Sequence, residues 1–273
     1  MKFIFSIFTF IFAAGQAKAI IHGTPGFHPR VGTFKAGDGY CKGFLIEPQI
    51  VVTAAHCKFD ILLDTDFVLQ DRGGEKMKYA ILNFKRFENY DSQKSNFGDI
   101  AVIFLKTPVK DEPSFKKIKL VESLPATDFI GIFFGAIHRD DEAFFSLKPD
   151  EQLAEETENL FKISFSSFRI KGLSKKEPDH FLLESVSENN SPDSKICHGD
   201  SGGPYLLEGA DIDYLIGISS YISRSSWNVF WGKSGIKGVK FCKESEAVIT
   251  SAVYHYTWLT KTIASLKNQY SIQ

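Results

Sequence analysis

Residues 197–204 read CHGDSGGP and set Ser201 between an aspartate and two glycines. A serine hydroxyl is a weak nucleophile at neutral pH and needs a base to take its proton. The stretch also satisfies G-x-S-x-G, the strand-to-helix elbow that displays a nucleophilic serine. Chain order separates the two readings. An elbow enzyme runs serine, acid, histidine, yet the one histidine after Ser201 is His255, in the segment leading to a C-terminal helix. That fold also alternates strands with helices, a rhythm this chain lacks. The order histidine, aspartate, serine is available instead. VVTAAHC (51–57) ends an apolar β run in His56, and NFGDIAVIFL (96–105) sets Asp99 at the opening of a buried strand. A carboxylate held out of water there can accept a hydrogen bond from imidazole, fix its tautomer and stabilise the imidazolium.

The rest of the chain is compatible with that chemistry. At 43% hydrophobic and 24% charged, its 273 residues can bury a sizeable core. A net charge of −1 gives no global pull toward nucleic acid or an anionic surface. Short runs rich in Ile, Val and Phe (44–55, 99–105, 128–137 and 213–222), separated by Gly, Pro, Asn and Asp, predict an all-β sandwich or barrel. YTWLTKTIASLKNQ (256–269) predicts a terminal helix with Trp258, Leu259, Ile263 and Leu266 on one face. The polar stretch 141–196 reads as long loops around a few strands, with a helix at 150–162. At the start, Met1-Lys2 precedes an apolar run, Phe3 to Ala14, and then Ala17-Lys18-Ala19 in the small-x-small pattern of signal cleavage. The run is shorter than the roughly 20 residues a bilayer span needs. The reading is a signal peptide over 1–19 and an exported, soluble mature chain. Export favours disulfides among Cys41, Cys57, Cys197 and Cys242, and three pairings are open. No cysteine pair has the close spacing of a zinc site.

TAAHC, DIAV and GDSGGP, in this order and near this spacing, resemble the trypsin/chymotrypsin family of serine proteases, and the likeness spans nearly all of the mature chain. The resemblance implies two antiparallel six-stranded β-barrels, 20–121 carrying His56 and Asp99 and 122–273 carrying Ser201, with the active site between them and a C-terminal helix. His56 is then base and acid, Asp99 its orienting partner and Ser201 the nucleophile. The N–H groups of Gly199 and Ser201 form the oxyanion hole, and Ser220 supports the aspartate. Cys41 pairs with Cys57 and Cys197 with Cys242. The family's other bridges have no cysteines here, which suggests a minimal, bacterial member. The family acts on protein or peptide substrates, with no cofactor or metal, and a monomer is expected. A silent protease-fold binding protein and a secreted esterase of α/β-hydrolase type are the alternatives.

Family members are activated when a cut exposes an Ile-Val-Gly-Gly type N-terminus whose ammonium pairs with the aspartate before the serine, here Asp200. The matching IIHG begins at Ile20, directly after AKA, so signal cleavage itself is expected to create the active N-terminus. The primary pocket departs from the family. Its floor falls on Lys195, which disfavours Arg or Lys at P1 by charge repulsion. Ile222 and Ala247 stand where small glycines usually line the walls, and Tyr221 replaces a tryptophan. An acidic P1, or a shallow pocket for small apolar residues with Lys195 in solvent or paired with an acid such as Glu246, follows. The shallow pocket is preferred, because Ile222 fills space either way. The long insertion 222–241 is read as a packed surface loop.

Overall fold

The computed structural model describes residues 20–37, 39–58, 65–93, 95–110, 115–124, 129–136, 148–186, 193–197, 199–223, 242 and 246–270. The expected signal segment and residues 224–241 of the insertion lie outside them. The strands are β1 Thr24–Gly26, β2 Val31–Ala36, β3 Gly39–Glu47, β4 Ile50–Thr53, β5 Asp66–Gln70, β6 Lys76–Arg86, β7 Ala101–Leu105, β8 Lys117–Leu120, β9 Ile130–Ala136, β10 Ile163–Leu173, β11 His180–Ser185, β12 Pro204–Leu207, β13 Ile212–Ser223 and β14 Glu246–Ser251. Among the described residues two helices join them, α1 Pro149–Asn159 and α2 Tyr256–Tyr270.

Strands β2-β3-β4-β7-β6-β5 close into one barrel. Every residue of β4 (IVVT) and β7 (AVIFL) is buried. One face of these strands fills the barrel and the other is covered, which is why they read as unbroken apolar runs. Strand β6 alternates instead, with Tyr79 and Ile81 turned inward and Lys78, Ala80 and Leu82 exposed. Strands β10-β11-β14-β13-β12-β9 form the second barrel, closed by β9 pairing with β10. Pairing is antiparallel except where β8 runs parallel to β13. Strand β1 also joins this sheet, through β10.

The two ends of the chain tie the barrels together. Helix α2 buries Leu259, Ile263 and Leu266 in the same apolar cluster as Phe104 of the first barrel. Tyr270 stacks on Phe104 with centroids 4.9 Å apart, and its hydroxyl accepts a 2.8 Å bond from Asn83. Trp258, placed on the same face by sequence, is half-buried at the edge of that cluster. The helix read at 150–162 forms as α1. Pro149 suits its first turn, Asp150 and Glu151 face the positive end of its dipole, and Glu151 accepts the Lys148 N–H at 3.0 Å.

Candidate active site

Strand pairing brings two of the sequence-selected residues together. β4 runs antiparallel to β7 with Thr53 opposite Ala101, so the chain leaves β4 and enters β7 at one rim of the barrel. His56 lies just past the first strand and Asp99 just before the second. The His56 backbone N–H donates to Asp99 Oδ1 at 2.8 Å, and His56 Nδ1 sits 2.8 Å from Asp99 Oδ2. Asp99 is 1% exposed, whereas the His56 side chain is 34% exposed. The carboxylate is sealed and the imidazole reaches the surface. Ser220 completes the acid's shell by donating its hydroxyl to Asp99 Oδ2. The β12–β13–β14 register explains how: the β13–β14 ladder slips between Ser219 and Tyr221, which turns Ser220 out of the regular alternation.

Electrostatics follow from this shell. Burial pushes the Asp99 carboxyl up, but the His56 charge and the hydrogen bonds from His56 and Ser220 hold it below its ordinary value. Burial pulls the His56 imidazole down, and the Asp99 carboxylate outweighs it, leaving the pKa raised. With Nδ1–H committed to Asp99, the lone pair of a neutral His56 is on Nε2, which lies 3.7 Å from Cys57 Sγ.

Ser201 lies in the turn that enters β12. Its carbonyl accepts the Lys42 N–H of β3 at 2.7 Å. Among the described residues its hydroxyl makes no hydrogen bond, to His56 included; such bonds are often long before substrate arrives. Gly199 has φ +88°, where a side chain would strain the backbone. Gly202 has φ +79°, and a Cβ there would sit 2.2 Å from the Lys42 carbonyl oxygen. Neither the Gly199 nor the Ser201 N–H donates to a described group, so both remain able to bind an anion.

Ile20 and Asp200 converge on one residue. The fully buried Ile20 donates its backbone N–H to the Ala136 carbonyl at 2.9 Å, and Asp200 accepts the Ala136 N–H at 2.6 Å. Asp200 also accepts the Cys197 N–H at 2.7 Å. Ile21 forms an antiparallel bridge with Lys195, which joins the IIHG segment to the residue that the resemblance assigned to the pocket floor. Lys195 and the buried Ala247 line a cavity of about 120 Å³, together with Glu184, Asp193, Ser194 and Glu246. Of the two placements read for Lys195 in a shallow pocket, solvent or a pair with an acid such as Glu246, the Glu246 pair does not form: Glu246 is taken by Lys171 at 2.9 Å. Ile222 stands opposite Ala247 in the sheet. The Tyr221 hydroxyl donates to Glu177 at 3.1 Å.

Both disulfides that the resemblance implied are formed, Cys41–Cys57 and Cys197–Cys242. The grouping of Cys41, Cys57 and His56 is therefore no metal site, since its thiols are joined. Two features were missed by sequence reasoning. Asp179 is fully buried and accepts the Gly98 N–H at 2.8 Å, which anchors the turn presenting Asp99. It is held in turn by His180 Nδ1 and His255 Nε2, each at 2.7 Å, and Thr250 meets His180 Nε2 at 3.0 Å. The second is Lys42, a fully buried lysine directly beneath Ser201. Its signal was available: a lysine inside the otherwise apolar run of β3.

Among the described residues no helix is long and apolar enough to cross a membrane. In comparison with known proteins, the chain is 26% identical over 200 residues to trypsin epsilon of Drosophila erecta, covering 71% of this chain and 72% of that one. It is 28% identical over 205 residues to human kallikrein-7, covering 71% and 74%. The structure resembles neuropsin, a serine protease expressed in the limbic system of mouse brain, with a TM-score of 0.61 at 20% identity over 89% of this chain and all of that one. That likeness concerns the fold. A family model for trypsin matches residues 22–132 and 179–230, more than half of the chain. On these matches, and with two closed β-barrels meeting at His56, Asp99 and the Ser201 turn, the chain belongs to the trypsin family of serine proteases.

Proposed function

We propose that this chain is a secreted serine endopeptidase that cleaves peptide bonds through His56, Asp99 and Ser201. The observation that carries the reading is the chain of hydrogen bonds from Ser220 to Asp99 to His56, which leaves Nε2 as the basic nitrogen of a neutral His56. In the first half-reaction His56 Nε2 takes the Ser201 proton as Oγ attacks the substrate carbonyl. The tetrahedral oxyanion is received by the Gly199 and Ser201 N–H groups. His56 then returns the proton to the leaving amine, and an acyl-enzyme remains on Ser201. Water, deprotonated by His56, repeats the sequence and releases the acid. This chemistry requires neither metal nor cofactor.

Activation falls to Ile20. Once freed by cleavage after Ala19, its ammonium pairs with Asp200, whose carboxylate already meets the same residue, Ala136. A buried carboxylate gains from such a partner. The N-terminal sequence of the exported protein tests this step: Ile20 as first residue is expected, and any other start contradicts it.

Small apolar residues are the proposed P1 class. The cavity at Lys195 is small, and its two lysines, Lys171 and Lys195, stand among Glu184, Asp193 and Glu246, which offset their pull on an acidic side chain. A peptide library digested by the exported enzyme is expected to show cleavage after Ala or Val. Cleavage after Glu or Asp would overturn the assignment, and Ser201→Ala should abolish all cleavage.

A further inference from the structure

Lys42 is 0% exposed and makes no salt bridge among the described residues. A lysine of this kind is costly to bury, and its hydrogen bonds must offset that cost. Its Nζ donates to Thr33 Oγ1 at 2.7 Å and to the Leu160 carbonyl. Thr33 is its direct partner on β2, and Leu160 follows the last residue of α1. The ammonium thus sits at the negative end of a helix that belongs to the second barrel's connections. The backbone of the same residue meets the nucleophile turn. Its N–H holds the Ser201 carbonyl at 2.7 Å, and its own carbonyl accepts the Thr53 hydroxyl at 2.7 Å. Gly202 packs so closely on that carbonyl that no side chain fits.

We propose that Lys42 is a positioning residue for the nucleophile, its buried Nζ pinning β3 to the end of α1 so that the Lys42 N–H fixes the Ser201 turn. This rests on the triad reading above. Thr33 faces the ammonium from β2, Thr53 lies at its backbone from β4, Leu160 faces it from the end of α1, and Asp200 is the charge acting on it from the nucleophile turn. Burial lowers the Lys42 pKa to about 7 against the opposing pull of Asp200. Because burial holds that pKa below its free value, the pinned state binds fewer protons than an opened one, and the pin tightens as pH rises through about 7.

The test compares fluorophosphonate labelling rates at Ser201 in the exported wild type, Lys42→Met and the isosteric Thr33→Val from pH 5.5 to 9.5, with amide hydrogen exchange of the 199–207 segment. Since all three share His56, their rate ratios isolate the pin. Lys42→Met is expected to label about twofold more slowly than wild type at pH 6, the gap widening to about tenfold by pH 9, and Thr33→Val to follow by about threefold. Exchange in 199–207 should quicken in both variants. A ratio that does not change with pH, or unchanged labelling and exchange, overturns the proposal. If Lys42→Met does not fold, Thr33→Val decides by the same two readouts. If the wild type fails to label, the triad reading falls, and exchange alone decides for Lys42: quicker exchange supports the pin, and unchanged exchange overturns it.

Discussion

At the residue scale, the Asp99 carboxylate governs when His56 can act as a base. His56 must be neutral to accept the Ser201 proton, and Asp99 raises its pKa above the ordinary 6.5. Activity is therefore expected to rise with pH through a midpoint above 6.5. Asp99→Asn should lower kcat/KM by about 10⁴-fold, because the amide no longer fixes the tautomer that frees Nε2, and should move the remaining midpoint downward. A pH–rate profile of both proteins checks the sign; an Asp99→Asn midpoint at or above the wild-type value would contradict it. These residues were legible in sequence because each sits in a short motif whose neighbours belong to the same turn or strand end. The ion pair of Glu246 was not. Glu246 lies on β14 beside Lys171 of β10, and which of two lysines an acid meets is a matter of side-chain packing between strands.

At the scale of elements, the turn before β7 is held from the other barrel. Asp179 takes the Gly98 N–H while two buried histidines hold the carboxylate. Burial opposes ionisation of Asp179, but those hydrogen bonds keep its carboxyl well below the ordinary carboxylate range. A depressed carboxyl pKa contributes stability that is present above the unfolded value of 3.8 and is lost as pH falls below it. Asp179→Ala is expected to cost about 3–5 kcal/mol in denaturant unfolding, since it strands buried polar partners. The wild-type advantage over it should shrink below pH 4. Removing the Cys41–Cys57 bridge, which spans 16 residues, should cost about 3 kcal/mol by the same measurement. Strands β4, β7 and β13 and helix α2 were readable from periodicity and apolar runs. The Asp179 network was not, because Gly98, Asp179, Thr250 and His255 are distant in the chain and converge only after both barrels close.

Across the whole molecule, the barrels are interlocked rather than strung in series. β1 and β8 arise from the first half of the chain yet pair in the second sheet, and α2 returns from the C-terminus to seal the first barrel. Calorimetry is expected to show one cooperative transition for both barrels. Two separated transitions would show that the pinning contacts at Lys42, Asp179 and α2 are energetically minor. The barrel class was legible from short β runs punctuated by turn residues; the crossing of β1 and β8 was not, because neither strand carries a pattern that names its partner.

The most direct measurement is to treat the exported protein with a fluorophosphonate and locate the adduct by peptide mass spectrometry. A single adduct on Ser201, lost in His56→Ala, is the expected result. An unlabelled, folded protein whose first residue is Ile20 would contradict the proposed enzyme and favour a protease fold that binds without turnover.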